Sequence, residues 1–409
     1  MLKELHLKLV GPSPKLDVEL SDRLNIFTGD NGLGKTFLLD IAWWVLTGSW
    51  ADRPAFPQRE REQIPEITCY LNNRTESKPD RSYFDFSTLK WGSFQMSYQL
   101  RGLVIYAHAN GGFSVLDPAR KRKGVYNFTP NKLWDGLRTD GKVLCNGLIQ
   151  DWVSWQRQPD QTTFKLLSDV IRQLSPHPGE GIEPGEPTRV SVEDIRDIPT
   201  INLPYGNVPI IYASAGMKRI LGLAYVLVWT WYEHTQASKL RNQSPLDQIV
   251  LLMDEVESHL HPRWQRAILP AILKVLTGLQ EQTKIQALVT THSPLVLASV
   301  EPIFDQETDR LFLFQLESQK VTLNEIPWCK QGDTIGWLTS DIFGLKQARS
   351  IEAEKAIEAA EAWMRSDNMN AFPDYLKTSE QIHQQLMQLL PGHDPFWPRW
   401  IIKMEASQG

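Results

Sequence analysis

A chain of 409 residues exceeds the roughly 100–200 residues of one compact domain, so a core domain with large insertions, or two to three lobes, is expected. With 42% hydrophobic and 22% charged residues the composition is that of an ordinary globular protein, and a net charge of −5 excludes a broadly basic, indiscriminate nucleic-acid binder while leaving a local basic patch open. Cys69, Cys145 and Cys329 lie far apart in no metal-ligand spacing, which points to reduced thiols in a cytoplasmic protein.

The N-terminus alternates like a strand and lacks the apolar core of a signal peptide. The most apolar run, residues 220–231, is shorter than the ~20 residues a membrane span needs, so no membrane partner is expected. Residues 2–10 and 16–20 read as strands joined by the turn Gly11-Pro12-Ser13-Pro14. A third strand, 24–28, leads into Gly29-Asp30-Asn31-Gly32-Leu33-Gly34-Lys35-Thr36, and an apolar helix follows over 37–47, ended by Gly48. In a Gly-x-x-x-x-Gly-Lys-Thr loop between strand and helix, successive backbone N–H groups point inward and the helix adds its positive end, so the loop wraps a polyphosphate. Gly29, Asn31, Gly32 and Gly34 would form the cradle, Lys35 would reach the β- and γ-phosphates, and the Thr36 hydroxyl would ligate Mg²⁺. A chance glycine-rich turn lacks that flanking strand and helix.

Residues 51–66 are Pro- and Arg-rich and read as a surface loop, and strands are expected at 67–71, 83–86, 94–100 and 103–107. The basic run Arg120-Lys121-Arg122-Lys123 reads either as a solvated turn or as a contact for nucleic acid or an acidic partner. Residues 146–156 and 163–174 look helical, and 175–188, rich in proline and glycine, look like a loop. No internal repeat or long heptad run is visible. The buried-strand pattern 249–253 ends in Asp254-Glu255, which would place Asp254 on the Mg²⁺ shell and Glu255 beside the attacking water. A second buried strand, 287–290, ends in Thr291-His292-Ser293-Pro294, where His292 could reach a γ-phosphate or simply be structural.

The phosphate loop, Asp254-Glu255 followed by Glu257-Ser258-His259-Leu260-His261-Pro262, and the Thr291-to-Pro294 turn together resemble an ABC-type ATPase. More narrowly, they are similar to the bacterial stand-alone ABC-like ATPases related to overcoming-lysogenization-defect (OLD) proteins and to the ATPase subunits of antiphage systems such as Septu and certain retrons. The stretch Tyr212-Ala213-Ser214-Ala215-Gly216-Met217-Lys218-Arg219 then resembles the ABC signature loop, although it reads Ser-Ala-Gly-Met-Lys and lies further from Asp254 than in transporter ATPases. The resemblance implies ATP rather than GTP, Glu255 as catalytic base, His292 as switch histidine, and Ser214, Gly216 and Lys218 or Arg219 completing the site of an opposite subunit. A homodimer or higher homo-oligomer sandwiching Mg²⁺–ATP follows. Gln95, Gln99, Gln150 and Gln156 are all eligible as the Q-loop glutamine.

Residues 310–316 and 321–326 suit a hairpin, and 350–364 and 379–390 read as amphipathic helices. The aromatic, Pro-rich tail, residues 391–400, reads as a cap packing its tryptophans on the ATPase body or as a docking segment for a partner. Residues 300–409 contain no Asp-x-Asp pair for a Toprim nuclease, so any nuclease is expected on another chain.

The expected architecture is α/β: an ABC-type P-loop ATPase core with a β-rich N-terminal lobe, a helical insertion and a helical C-terminal cap. Residues 1–145 would hold the phosphate loop and β-rich lobe, 146–204 the insertion, 205–330 the signature, Asp254-Glu255 strand and switch histidine, and 331–409 the cap. The expected function is a sensor or regulatory ATPase of an antiphage system controlling a nuclease or toxin encoded nearby. The rivals are a RecF- or SMC-like DNA-repair ATPase, an ABC transporter ATP-binding subunit, and a scaffold that binds ATP without turnover.

Overall fold

The computed structural model describes residues 1–60, 63–71, 79–94, 102–120, 124–176, 181–279 and 283–408. They divide into two units, Met1–Gly332 and Asp333–Gly409.

The first unit opens with the antiparallel hairpin β1 (Leu2–Val10) and β2 (Ser13–Glu19), followed by β3 (Leu24–Gly29) and α1 (Lys35–Thr47). Strands β4 (Glu66–Leu71), β5 (Asp80–Asp85) and β6 (Lys90–Trp91) add to the hairpin as a five-stranded antiparallel sheet, ordered β2-β1-β4-β5-β6. Next come β7 (Leu103–Ala107), β8 (Phe113–Leu116), β9 (Val125–Phe128), α2 (Pro130–Asp135), the small hairpin β10 (Leu137–Thr139) and β11 (Lys142–Cys145), then α3 (Leu148–Arg157) and α4 (Thr162–Leu174). Strands β12 (Glu183–Thr188), β13 (Ile198–Leu203) and β14 (Gly206–Pro209) precede the long helix α5 (Ala215–Leu240). The unit closes with β15 (Gln248–Met253), α6 (Pro262–Leu279), β16 (Lys284–Thr290), α7 (Pro294–Val300) and the hairpin β17 (Asp309–Glu317) and β18 (Lys320–Ile326).

The main sheet has eight strands in the order β18-β17-β3-β16-β15-β7-β8-β9, and its five central strands run parallel. Strands buried on both faces need continuous apolar runs, which β7, β15 and the end of β16 supply. Two buried amides inside this layer are fully engaged. Asn25 holds the Ser21 backbone, and the Gln286 side chain accepts from the Leu2 amide (2.9 Å) while donating to the carbonyls of Leu2 (2.7 Å) and Ser21 (2.8 Å). Removing Gln286 would leave buried backbone groups unpaired, at about 1–3 kcal/mol. These bonds tie the antiparallel sheet to the parallel one, and the parallel pairing of β3, β16 and β15 places their C-terminal ends side by side.

Three expectations are corrected. The insertion over 146–204 is helical only to Leu174; residues 183–209 form the three-stranded antiparallel sheet β12-β13-β14. Pro184 and Pro187 sit on its edge strand, where a missing N–H is tolerated, so the segment reads as a loop although it pairs as a strand. Arg120 closes a turn on the Asp117 carbonyl, and its side chain is not left to solvent: the guanidinium stacks over Tyr126 (4.6 Å) and Trp229 (5.1 Å) and donates to the Leu144 carbonyl. Lys121, Arg122 and Lys123 lie outside the described residues, as do residues 95–100 of the expected 94–100 strand. The third correction concerns the tail. The second unit holds α8 (Thr334–Leu338), α9 (Ile351–Arg365), α10 (Ser379–Leu389) and α11 (Trp397–Gln408); α10 and α11 pack on α9, and Trp397 and Trp400 belong to that unit's own core with Ala356, Ala360, Ile382 and Leu386. Trp400 packs edge-on against Trp363 at 5.4 Å, and Arg349 bridges to the buried Asp394 at 2.8 Å.

Among the described residues no helix is long and apolar enough to cross a membrane.

Candidate nucleotide site

The loop Gly29 to Thr36 leaves β3 at the centre of the parallel sheet and enters α1. Gly29 has φ 127, and a Cβ there would lie 2.2 Å from the Phe314 carbonyl oxygen of β17, so no other residue fits against that neighbouring strand. Gly32 (φ 78) and Gly34 (φ 101) also take the left-handed region, and Asn31 is exposed on the same loop. The Lys35 ammonium folds back on the loop, donating to the carbonyls of Gly29 (2.8 Å) and Asp30 (2.7 Å). Burial lowers its pKa, opposed by the charges of Glu255 and Asp254.

Strand order decides what meets this loop. β16 lies between β3 and β15, so the Thr290 end of β16 stands between the phosphate loop and Asp254. The Thr36 hydroxyl donates to Asp254 at 2.9 Å, and the Thr290 hydroxyl donates to the other oxygen at 2.8 Å. Burial raises the Asp254 pKa, and the two hydroxyls counter it. The Glu255 amide donates to Thr290 Oγ1 (2.7 Å), and the Ser258 hydroxyl donates to Glu255 Oε2 (2.7 Å). His292 Nε2 stands 4.0 Å from Glu255 Oε1. Burial, then the nearby Lys35 charge, lowers the His292 pKa, so the ring is neutral at neutral pH. The structure therefore brings Lys35, Thr36, Asp254, Glu255 and His292 to one edge of the sheet.

Ser214, Gly216 and Lys218 sit apart from that cluster on the first turn of α5. Ser214 caps the helix, its hydroxyl accepting from the Met217 amide, and among the described residues none of the three hydrogen-bonds to Gly29–Thr36 of its own chain. Of the glutamines considered, Gln150 and Gln156 lie on α3, with Gln156 donating to the Gly185 carbonyl; Gln95 and Gln99 lie outside the described residues.

Residues that sequence reasoning left without a role also belong to the site. Glu257 clamps the turn after β16, accepting from the His292 amide (2.5 Å) and the Thr291 hydroxyl (2.8 Å). Burial raises its pKa, and those hydrogen bonds oppose the shift. Its position two residues after Glu255, in a loop at a strand end, was the available signal. Asp40 of α1 accepts from the Tyr106 hydroxyl of β7 at 3.0 Å, and burial pushes its carboxyl up to about 6. Burial also takes His108, just past β7, down to about 4. No local pattern marks these two, since each is defined by what faces it.

The residues present fit Mg²⁺ and a polyphosphate. Thr36 and Asp254 pair a hydroxyl with a carboxylate, both hard oxygen donors, while among the described residues no group of three His, Cys, Asp or Glu could hold a metal alone. Mg²⁺ takes few protein ligands and completes its shell with phosphates and water.

Residues 195–298, which span the signature-like turn, Asp254-Glu255 and His292 but not the phosphate loop, match the family described as "AAA domain, putative AbiEii toxin, Type IV TA system". The chain is 25% identical over 414 aligned residues to the Septu protein PtuA of Bacillus thuringiensis, covering 94% of each chain. It is 41% identical over 59 residues to the "Retron Ec83 probable ATPase" of Escherichia coli, which is 14% of this chain and 10% of that one. Among solved structures, the SMC head domain of Thermotoga maritima is similar at 16% identity and a TM-score of 0.40, over 80% of this chain and 99% of that one. The recombination mediator protein RecF is similar at 14% identity and a TM-score of 0.41, over 80% and 98%. The resemblance seen in the motifs stands: the chain is similar to stand-alone ATPases of Septu and retron kind, and its fold is α/β with a parallel core sheet that carries the phosphate loop.

Proposed function

We propose that this ABC-type ATPase binds Mg²⁺–ATP on Gly29 to Thr36, hydrolyses it, and serves as the sensor or regulatory subunit of a bacterial antiphage system that controls a nuclease or toxin partner. The observation that carries the reading is the convergence of Lys35, Thr36, Asp254, Glu255 and His292 at the C-terminal ends of β3, β16 and β15. Ligands of parallel α/β sheets bind at that edge.

Lys35 would exchange the carbonyls of Gly29 and Asp30 for phosphate oxygens. Thr36 and Asp254 would hold Mg²⁺, which when bound neutralises part of the polyphosphate charge. Glu255, oriented by Ser258, would orient or deprotonate the attacking water, and neutral His292 would donate a hydrogen bond to the phosphate. Ser214, Gly216 and Lys218 make no hydrogen bond to Gly29–Thr36 of their own chain among the described residues, and in a head-to-tail homodimer they would complete the partner's site at the N-terminal turn of α5. Closing and reopening of such a dimer is a two-state element able to gate an effector. The similarity to a Septu protein along nearly the whole chain supports the antiphage part of the reading.

The test is the mass of the purified protein with and without ATP–Mg²⁺, together with phosphate release, for wild type and Glu255→Gln. An ATP-dependent dimer that persists in the variant, and loss of turnover there, are expected. A mass indifferent to ATP in both proteins would overturn the closing dimer, and unchanged turnover in the variant would overturn the role of Glu255.

A further inference from the structure

Arg219, one turn into α5, was a candidate for an opposite subunit's site by the motif resemblance, yet its guanidinium lies against backbone of its own chain. Its Nη1 donates to the carbonyls of His108 (3.1 Å) and Ala109 (3.2 Å), just past β7. Its Nη2 faces the carbonyls of Glu255 (3.3 Å) and Asp254 (3.4 Å), just past β15. Where two neighbouring parallel strands end, their last carbonyls leave the ladder for other donors; the His108 and Glu255 carbonyls also accept from the Gly111 (3.1 Å) and Ser258 (2.9 Å) amides, and Arg219 joins the two groups. The planar guanidinium fork can serve both strand ends at once, which a single ammonium cannot.

Glu255 needs such support. It is a non-glycine residue at φ 47, a conformation that costs about 1–2 kcal/mol and persists only where the surroundings hold it. Its amide is held by Thr290 of β16, its carboxylate by the Ser258 hydroxyl of the following loop, and its carbonyl by the Ser258 amide (2.9 Å) and by Arg219 (3.3 Å). Two of these tethers come from other elements: Thr290 from β16, and Arg219 from the helix α5. One turn earlier, Gly216 lets that helix lie against the same loop, because a Cβ there would stand 2.8 Å from the His259 carbonyl oxygen. The first turn of α5 and the loop after β15 are therefore packed and hydrogen-bonded as one body.

We infer that Arg219 is a positioning residue for Glu255, coupling the N-terminal turn of α5 to the backbone that aims the Glu255 carboxylate. A ligand that shifts that turn, a second copy's nucleotide included, thereby reaches the Glu255 carboxylate through one guanidinium. The inference rests on the proposed role of Glu255 in hydrolysis, while its backbone contacts stand independently of that role.

The experiment compares full-length wild type, Arg219→Met, Arg219→Lys, Glu255→Gln and the Arg219→Met/Glu255→Gln double variant. Three quantities are read: equilibrium binding of a fluorescent ATP analogue with Mg²⁺, steady-state phosphate release, and hydrogen exchange of the peptide spanning residues 254–260. In Arg219→Met, nucleotide affinity should stay within about twofold while kcat falls about tenfold or more, with Arg219→Lys between. The double variant should be no slower than Glu255→Gln alone, since residues acting as one unit do not add. Exchange over 254–260 should be about tenfold faster in Arg219→Met. Wild-type kcat and exchange in Arg219→Met would overturn the inference, and so would parallel loss of affinity, turnover and thermal stability in both Arg219 variants. If wild type itself releases no phosphate, the hydrolytic reading falls, and the exchange comparison then decides Arg219 by itself: acceleration supports it and no change overturns it.

Discussion

The molecule contains two glycine-bearing helix N-termini that look alike in sequence, Gly29 to Thr36 before α1 and Ser214 to Arg219 at the start of α5. In the first, the residues with chemistry are also the residues that hold the structure: Lys35 bonds its own loop and Thr36 bonds Asp254. In the second these tasks are split. Ser214 caps its helix and is exposed, while Gly216 and Arg219 lie against the His259, Asp254 and Glu255 backbone. A helix start can thus be built as a self-contained cradle or as a surface with an internal lever.

The largest effect separating the two regions is expected at the cradle. Glu255→Gln should lower kcat about 100- to 10,000-fold with nucleotide binding retained, the range for a removed general base, measured by phosphate release. Next, Lys35→Ala should weaken binding of the ATP analogue about 10- to 150-fold, the worth of about 1.5–3 kcal/mol of charge-assisted hydrogen bonding. Equal binding to wild type would mean Lys35 stays on its carbonyls. Gly216→Ala tests the lever: the added methyl meets the His259 carbonyl, so α5 must shift, at about 1–3 kcal/mol in denaturant unfolding. An unchanged midpoint would show that the first turn of α5 is not packed on that loop.

Asp40 allows a pH test beneath the cradle. Its folded carboxyl titrates near 6, above the unfolded value near 4, so the folded state binds the proton more tightly. Its contribution therefore favours folding most below pH ~4 and is lost as pH rises through 6. Asp40→Asn should flatten this part of the stability profile, by about 1–2 kcal/mol between those limits. A profile parallel to wild type would remove Asp40 from the account. The smallest effect is expected for Ser214→Ala, about 1 kcal/mol of stability from the lost cap. In the head-to-tail dimer it should also reduce ATP-dependent dimerisation, and a stability loss alone would leave Ser214 as a cap only.

Much of the site was legible because its signals are local. A strand, a Gly-x-x-x-x-Gly-Lys-Thr loop and a helix follow one another in the chain, and Asp254-Glu255 and Thr291-His292 end apolar runs that only strands buried on both faces require. The roles of Glu257, Asp40 and His108 were not legible, nor was the contact of Arg219 with its own chain where the resemblance offered it to an opposite subunit, since each acts on groups that arrive from elsewhere in the chain. The sheet over 183–209 escaped notice because prolines on an edge strand imitate a loop. The tail tryptophans were visible as apolar mass, while the core that takes them up depends on α9 and α10.

By itself, then, the sequence determined the phosphate loop, the Asp254-Glu255 strand and the alternation of strands and helices, because backbone conformation and periodic burial are properties of neighbouring residues. Tertiary structure decided that β16 comes between β3 and β15, that a carboxylate two residues past Glu255 clamps the His292 turn, and that one arginine spans two strand ends. Those outcomes depend on strand order and on which strand ends come within reach of one side chain when the sheet is assembled, quantities that exist only once distant segments have paired.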